Sequence, residues 1–284
     1  MTPSSTLSPG PMGEDPVTIF LISHGRPLYL WACLDALWRQ TRSAARVVLL
    51  DNAHPCPLVG EVIEGYQRRG LLAEVVRFST NSLANIQTAY WERLPEVGER
   101  HVYMESDVVI QERQGCWLAE MGRILRTHPE IGMLGSLIDP RDFVPRDTAL
   151  SLTGGDGAAA TFLAKLQSPE RGFLQAPEWA DTSRDWFPTE PPCPIPNPPG
   201  RLLMLRTDAM RELGCLPDGQ LAQGFRQRGM RPSLTPLVRH RHLSLLNIYD
   251  YATYSGEARD GYFFTNPAAR PPVPPSQREQ GGGL

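Results

Sequence analysis

The sequence has one lysine, little net charge and no long apolar run, and each shortage excludes a class of protein. Lys165 is the only lysine among 28 basic residues, and the formal net charge is −3. A chain so close to neutral has no overall attraction for nucleic acid or for an anionic membrane. No apolar run approaches the roughly 18 residues that a membrane span needs. We therefore expect no nucleic-acid partner and no membrane span.

Cysteine is also scarce. The chain has 5 cysteines, an odd number, and none of them forms a C-x-x-C pair. This pattern argues against a disulfide framework and against a structural zinc site, and it is typical of a reducing compartment. Residues 1–16 lack the apolar stretch of a signal peptide. A cytoplasmic location is the expectation.

The common cofactor-binding and hydrolase motifs are missing. The sequence has no G-x-G-x-x-G, no P-loop and no H-E-x-x-H. Their absence disfavours a dinucleotide-dependent enzyme, an ATP-dependent enzyme and a zinc hydrolase. A metal-dependent nucleotidyltransferase is disfavoured as well, because no glycine-rich phosphate loop with a nearby lysine occurs near the N-terminus.

Proline, glycine and serine are concentrated in three parts of the chain. Residues 1–16 and 267–284 are rich in these residues and poor in apolar ones, which predicts disordered tails. Residues 139–200 are irregular and carry seven prolines between Pro188 and Pro199. A long irregular stretch inside a domain is usually functional. The pattern predicts one folded domain over residues 17–266.

Short apolar runs alternate with amphipathic segments between the tails. In one such segment, the spacing of Leu30, Leu34, Leu37 and Trp38 predicts an apolar helix stripe. Apolar runs bounded by turn residues predict strands at 17–22, 46–50, 73–78, 101–104 and 131–138. After residue 200 we expect strands at 201–206 and 234–240, with helices at 208–213 and about 220–228. Such alternation predicts an α/β fold with a mostly parallel central sheet and helices on both faces.

Polar clusters follow three of these strands, at residues 24–26, 51–52 and 105–107. Ligands collect at the carboxyl ends of strands in parallel sheets. If the chain stays extended, Glu105 and Asp107 point to the same side, roughly 6.6 Å apart along the strand. Two carboxylates placed in this way repel each other unless a cation lies between them. Mg²⁺ or Mn²⁺ suits such oxygen ligands, and a solvated acidic turn is the alternative.

Two histidines and one further acid are less specific signals. In an extended chain, His240 and His242 share one side of their strand, and either can complete a metal site. They can equally be a pair of surface histidines. Asp218 precedes a helix, where a carboxylate stabilises the unpaired N–H groups.

In their order along the chain, these segments resemble the family-2 glycosyltransferases, which have a GT-A fold. The resemblance covers about residues 17–245 and rests on VTIFLISHGRPLYLWACLDALWRQT, RVVLLDNAHP, NSLANIQTAYW, HVYMESDVVIQ, RLLMLRTDAMRELGCLPD and QGFRQRGMRPSLTPLVRHRH. The chain departs from the pattern at three points. Ser82-Leu83 lacks the usual glycine, Glu105 replaces the first Asp of the D-x-D motif, and the usual acid pair before the last helix is reduced to Asp218.

The resemblance implies roles for individual residues. It assigns the nucleotide-sugar half to residues 17–138 and the acceptor half to 139–266. The residues implied to bind the donor nucleotide are His24, Arg26, Asp51, Asn81, Asn85 and Glu105. Those implied to bind metal are Asp107, His240 and His242. Asp218 is the implied catalytic base, with Asp181 or Asp185 as reserves, and the candidate acceptor contacts are Trp179, Trp186 and Phe187.

The implied reaction transfers a sugar from a UDP-, GDP- or dTDP-linked donor to an unidentified acceptor hydroxyl. It depends on Mn²⁺ or Mg²⁺ and is expected to invert the anomeric centre. Because the acid pair is missing, a retaining enzyme on the same fold remains an alternative. A non-catalytic nucleotide-sugar binding protein is a second alternative.

Overall fold

The computed structural model describes residues 15–53, 56–139, 192–194, 201–214 and 218–243, with side chains throughout except at 218–220. The predicted tails lie outside these residues apart from 15–16. The predicted acceptor contacts Trp179, Trp186 and Phe187 and the reserve acids Asp181 and Asp185 also lie outside them.

Strands and helices alternate through the first half of the chain. The elements are β1 (Val17–Ser23), α1 (Pro27–Gln40), β2 (Ala45–Asp51), α2 (Pro57–Arg68), β3 (Leu72–Arg77), α3 (Leu83–Arg93), a 3₁₀ turn (Leu94–Glu96), β4 (Arg100–Glu105), β5 (Val108–Ile110), α4 (Trp117–Thr127) and β6 (Ile131–Ile138). Each strand predicted in this half is present and agrees with the prediction to within one residue at either end. Strand β5 was not predicted.

The second half adds β7 (Cys193–Pro194), β8 (Leu202–Arg206), α5 (Thr207–Leu213), α6 (Asp218–Gln227) and β9 (Arg231–His242). Strand β9 begins three residues before the predicted strand and ends two residues after it. Its extra length allows it to pair with β6, β5 and β7.

The strands form one sheet in the order β3-β2-β1-β4-β8-β6-β9-β5, and β7 pairs with β9. Strands β3, β2, β1 and β4 pair in parallel, as do β6 and β9. Strand β8 lies antiparallel between β4 and β6. The predicted α/β architecture with a mostly parallel sheet is confirmed.

Helices cover both faces of the sheet because successive strand residues point to opposite sides. On one face, Ile19 and Leu21 of β1 belong to a core that includes residues of α1, α2 and α4. On the other face, Phe20 belongs to a core that includes residues of α3, α5 and α6. The prediction of helices on both faces is thus confirmed.

Helix α1 corrects one prediction. Leu30, Leu34 and Leu37 are fully buried, as the stripe predicts, but Trp38 is 39% exposed. At 100° per residue, Trp38 lies roughly 90° around the helix from the centre of the buried side. It therefore lies at the edge of the core, and Cys33 fills a position nearer its centre.

The described residues bear on two predictions, one about disulfides and one about membrane spans. Cys33, Cys56, Cys116 and Cys193 are free thiols, and Cys215 lies outside the described residues. No helix in the part of the chain that the structure describes is long and apolar enough to cross a membrane.

Candidate functional site

The three predicted polar clusters meet at one edge of the sheet. Ser23 Oγ, at the end of β1, donates a hydrogen bond to Asp51 Oδ1 at 3.2 Å. The backbone N–H of Ser106, just after β4, donates to the carbonyl of Ile22 at 2.9 Å. Because β1 pairs in parallel with both β2 and β4, their carboxyl ends are neighbours. Asp51, the last residue of β2, is 2% exposed.

A ring of hydrogen bonds orders the loops beside Asp51. His24 Nδ1 lies 2.7 Å from the carbonyl oxygen of Asn52 and 2.8 Å from that of Ala53. Carbonyl oxygens only accept, so we assign the proton to Nδ1, and Nε2 accepts from Asn81 Nδ2 at 3.2 Å. Asn52 Nδ2 donates to Asn81 Oδ1 at 2.7 Å. The ring therefore connects the ends of β1 and β2 to the segment before α3.

Asn52 is part of this ring and belongs to the predicted polar cluster at residues 51–52, but it is not among the residues implied to bind the donor. Its Oδ1 accepts the backbone N–H of Ser82, the residue that caps α3. The signal available in the sequence was its position directly after Asp51, at the carboxyl end of a buried strand.

Asn85, predicted to bind the nucleotide, lies in the first turn of α3 and is partly exposed. Its Nδ2 donates to the backbone carbonyl and to Oγ1 of Thr80, at 3.0 and 3.3 Å. In this structure its side chain thus stabilises the loop that carries Asn81.

Asp107 lies in the tight turn between β4 and β5 and meets residues from both ends of the domain. Its Oδ2 lies 3.6 Å from His242 Nε2 and 3.9 Å from Arg26 Nη1. The aspartate and histidine side chains are each 6% exposed. The pairing of β5 with β9 sets Val108 opposite His242, and Leu243 donates its N–H to the carbonyl of Asp107. Strand register therefore brings Asp107 and His242 together.

Glu105 has a different cationic partner from Asp107. Strand β4 ends at Glu105, and its carboxylate forms an ion pair with Arg201, the residue just before β8. The expected extended strand through residue 107 is wrong, because the chain turns at Ser106 and Asp107. The two-residue spacing of an extended strand does not apply across that turn.

His240 lies fully buried on the same side of β9 as His242. Its Nδ1 lies 2.7 Å from Ser136 Oγ, whose own proton goes to the carbonyl of Leu202 at 3.5 Å. Nδ1 therefore carries the ring proton. Nε2 keeps its lone pair and is a buried atom with no hydrogen-bond partner.

Burial and the nearby charge of His242 lower the pKa of His240 to about 3. Arg201 adds to this effect, while the negative charge of Asp107 opposes it. His240 is therefore neutral near pH 7, which is the form of imidazole that binds a metal ion. Metal-binding histidines commonly donate their other ring N–H to a fixed acceptor, as His240 does to Ser136.

The residues present fit a divalent cation with few protein ligands. Among the described residues, no three His, Cys, Asp or Glu side chains are grouped closely enough to hold a metal ion. Mg²⁺ commonly uses one or two carboxylates and completes its shell with substrate phosphates and water. A carboxylate beside an imidazole suits Mn²⁺ as well. Of the two histidines, the geometry favours His242, because His240 lies opposite Ile110, further along the strand from Asp107.

Cys33 lies beneath the site and is not a nucleophile there. Its Sγ lies 3.9 Å from the carbonyl oxygen of Glu105. Burial raises the pKa of this thiol well above its usual value, and the charge of Asp107 raises it further. The thiol stays protonated and acts as a small apolar side chain.

The predicted catalytic base lies at the start of α6. Asp218 is the first residue of α6, and its side chain lies outside the described residues.

Comparison with known proteins adds information on the fold. No protein-family model matches the sequence, and neither does any curated protein. Solved structures do match. One is GalNAc-T7 with UDP, GalNAc and Mn²⁺, at 15% identity and a TM-score of 0.56 over 93% of this chain. Another is the mannosyltransferase PcManGT from Pyrobaculum calidifontis with GDP-Man and Mn²⁺, at 15% identity and a TM-score of 0.52 over 98% of this chain.

The chain has a GT-A fold. It spans 53% of the GalNAc-T7 chain and 79% of the PcManGT chain. At this level of identity the likeness concerns the arrangement of strands and helices alone.

Proposed function

We propose that the protein is a glycosyltransferase, which moves a sugar from a nucleoside diphosphate sugar to an acceptor hydroxyl with the help of Mn²⁺ or Mg²⁺. The observation that carries the proposal is the buried contact between Asp107 and His242 at the edge of a GT-A sheet, beside Arg26. GalNAc-T7 and PcManGT, which share the fold, were both solved with Mn²⁺ and a nucleotide or nucleotide sugar.

The side chains at the sheet edge divide into two groups in this proposal. Asp51 contacts the nucleobase, and the ring of His24, Asn52 and Asn81 fixes the loops around it. Asp107 and His242 hold the cation, and Arg26 lies beside Asp107. Glu105, which pairs with Arg201, contacts the donor nucleotide.

A bound Mn²⁺ or Mg²⁺ would offset the negative charge of the departing diphosphate. The remaining chemistry belongs to the chain. A carboxylate, which we assign to Asp218, removes the proton from the acceptor hydroxyl as that oxygen attacks the anomeric carbon. The attack by one oxygen from the face opposite the diphosphate inverts the anomeric centre.

We place the acceptor against residues 139–266. Trp179, Trp186 and Phe187 supply aromatic faces of the kind that stack on sugars and other apolar surfaces.

The first experiment is a thermal-shift screen of UDP, GDP, dTDP and their sugars, with and without Mn²⁺. A ligand that binds the folded state alone raises the melting temperature. We expect one nucleotide to raise it, and to raise it more when Mn²⁺ is present. If no nucleotide shifts the melting temperature under either condition, the proposal is wrong.

The variant Asp107→Asn tests the site itself. It removes the negative charge that binds the cation, and we expect metal-dependent turnover of the identified donor to fall by at least about a hundredfold. The matched control is Glu64→Gln, because Glu64 is exposed and pairs with Arg68 on the surface of α2. Near-normal turnover in Asp107→Asn would place the active site elsewhere.

Two further assays with the identified donor distinguish the remaining alternatives. The anomeric configuration of the product, followed by NMR, distinguishes an inverting from a retaining enzyme. Tight binding of donor and Mn²⁺ without turnover, even with pools of acceptors, would identify a non-catalytic nucleotide-sugar binding protein.

A further inference from the structure

Arg26 is held in a backbone conformation that residues with a side chain rarely adopt. Its φ is 52° and follows the positive φ of Gly25. For an L-residue this left-handed region costs roughly 1–2 kcal/mol. Such conformations cluster at functional sites, where the surrounding structure enforces them. The carbonyl of Arg26 accepts the N–H groups of Tyr29 and Leu30 and so begins α1.

The side chain of Arg26 is also positioned by its neighbours. Its guanidinium carbon lies 5.5 Å from the centre of the Tyr29 ring. The hydroxyl of Tyr29 donates to the carbonyl of Leu243, the residue after His242. Arg26 is thereby connected to the end of β9 that supplies the proposed metal ligand.

The guanidinium lies beside a proposed metal-binding oxygen. Arg26 Nη1 and His242 Nε2 both approach Oδ2 of Asp107, at 3.9 and 3.6 Å. The Arg26 side chain is 17% exposed and that of Asp107 is 6% exposed, so water screens the two charges only weakly. The positive charge of Arg26 therefore compensates the carboxylate when no cation is bound.

We propose that Arg26 is a built-in counter-ion of Asp107 that competes with the divalent cation, and that pairs with the donor diphosphate once the cation has bound. The inference rests on the proposed function. A cation on Asp107 repels the guanidinium and offsets the carboxylate charge that attracts it. The planar guanidinium then fits the phosphate oxygens.

Through this exchange, bound cation increases the affinity for the donor, and bound donor increases the affinity for the cation. The cation releases Arg26 for the diphosphate, and the diphosphate draws Arg26 away from the carboxylate. Coupling of this kind is reciprocal. It adds to any direct contact between cation and phosphate, and it depends on the charge at position 26.

The decisive measurement is the binding of Mn²⁺ alone, followed by the electron paramagnetic resonance signal of free Mn²⁺. The proteins are the full chain, Arg26→Gln, Arg26→Lys and Asp107→Asn. Arg26→Gln removes the competing charge, and we expect it to bind Mn²⁺ about five- to tenfold more tightly than the parent. Arg26→Lys keeps the charge and is expected to bind Mn²⁺ like the parent. Asp107→Asn should lose the binding, which shows that the signal reports this site.

The second measurement is calorimetry with UDP and GDP in the presence and absence of Mn²⁺. The factor by which Mn²⁺ improves nucleotide affinity should fall about fivefold or more in Arg26→Gln. Gln keeps the Cβ atom, so the strain of the left-handed backbone is unchanged. If Arg26→Gln does not fold, Arg26→Asn replaces it, because Asn tolerates this conformation better.

Unchanged or weaker Mn²⁺ binding in the folded, uncharged variant would overturn the proposal. The proposed function fails in a different way, namely if the parent protein binds no nucleoside diphosphate. In that event the Mn²⁺ titration still decides whether Arg26 competes at Asp107.

Discussion

Position decides the role of individual side chains at the carboxyl edge of the sheet. His240 and His242 are both buried histidines on one side of β9, two residues apart. His242 reaches Asp107 because it lies opposite Val108, whereas His240 is held by Ser136. Residue type made both of them candidates, and only register distinguishes them.

Asp51 provides a prediction at the residue scale. The variant Asp51→Asn keeps the shape of the side chain but removes its charge, and a hydrogen bond to a charged group contributes about 1.5–3 kcal/mol. We expect the affinity for the identified nucleoside diphosphate to fall about tenfold or more, measured by calorimetry. Binding of Mn²⁺ alone should not change, because Asp107 is intact.

Asp35→Asn is the control for this variant, since Asp35 lies on α1 and pairs with Arg39 four residues later. If Asp51→Asn and Asp35→Asn bind the nucleotide equally well, Asp51 does not contact the base.

At the scale of elements, Arg206 joins the end of β8 to the end of α4. Its guanidinium donates to the backbone carbonyls of Leu125, His128 and Ile131. The last carbonyls of a helix have no partner within the helix. Arg206 thus stabilises the connection that leads from α4 into β6, next to β8 in the sheet.

The variant Arg206→Leu leaves these carbonyls without their charged donor. We expect the free energy of unfolding to fall by about 2–3 kcal/mol, measured by urea denaturation. Arg68→Leu is the control, because Arg68 forms an exposed pair within α2 and such pairs contribute about 0–1 kcal/mol. A similar, small loss in both variants would show that Arg206 is not needed at the end of α4.

The elements that the sequence failed to predict are short and have distant partners. Strand β5 has three residues, too few for a periodic pattern, and its partner β9 lies more than 100 residues later. The same pairing of β5 with β9 brings Asp107 next to His242. The missed strand is therefore the element on which the proposed metal site depends.

At the scale of the molecule, buried neutral histidines connect stability to pH. His101 lies in the second core, with Nε2 2.6 Å from Tyr90 Oη and Nδ1 2.9 Å from Thr207 Oγ1. Burial, together with the charge of Arg211, lowers the pKa of His101 to about 3. In the unfolded chain its pKa is near 6.5.

Between pH 6.5 and about 3, the unfolded chain therefore binds a proton at this residue that the folded protein does not. Stability falls as the pH falls through this window, by about 1.4 kcal/mol per pH unit once the pH is well below 6.5. The stabilisation from the neutral form is fully present above pH 6.5.

Urea denaturation at pH 7.5, 5.5 and 4.5 tests this expectation. The variant His101→Gln should be less stable than the parent at pH 7.5, since Gln packs less well between Tyr90 and Thr207. Its stability should also fall less steeply than that of the parent as the pH decreases. Between pH 5.5 and 4.5 we expect the slopes of the two proteins to differ by about 1.4 kcal/mol per pH unit. Parallel pH profiles for the two proteins would contradict the argument.

The sequence by itself determined the α/β class, the positions of the main strands and the polar clusters at their carboxyl ends. It could do so because apolar runs, turn residues and the residue after each strand are local properties of the chain. Asp51 and Asp107 stand out in that way, each directly after or near the end of a buried strand.

Only the tertiary structure decided which of these side chains meet. The contact between Asp107 and His242, the approach of Arg26 to the same oxygen and the ring that includes Asn52 all join residues far apart in sequence. They depend on strand order and register, which follow from packing across the whole sheet. No local pattern around any one of these residues encodes its partner.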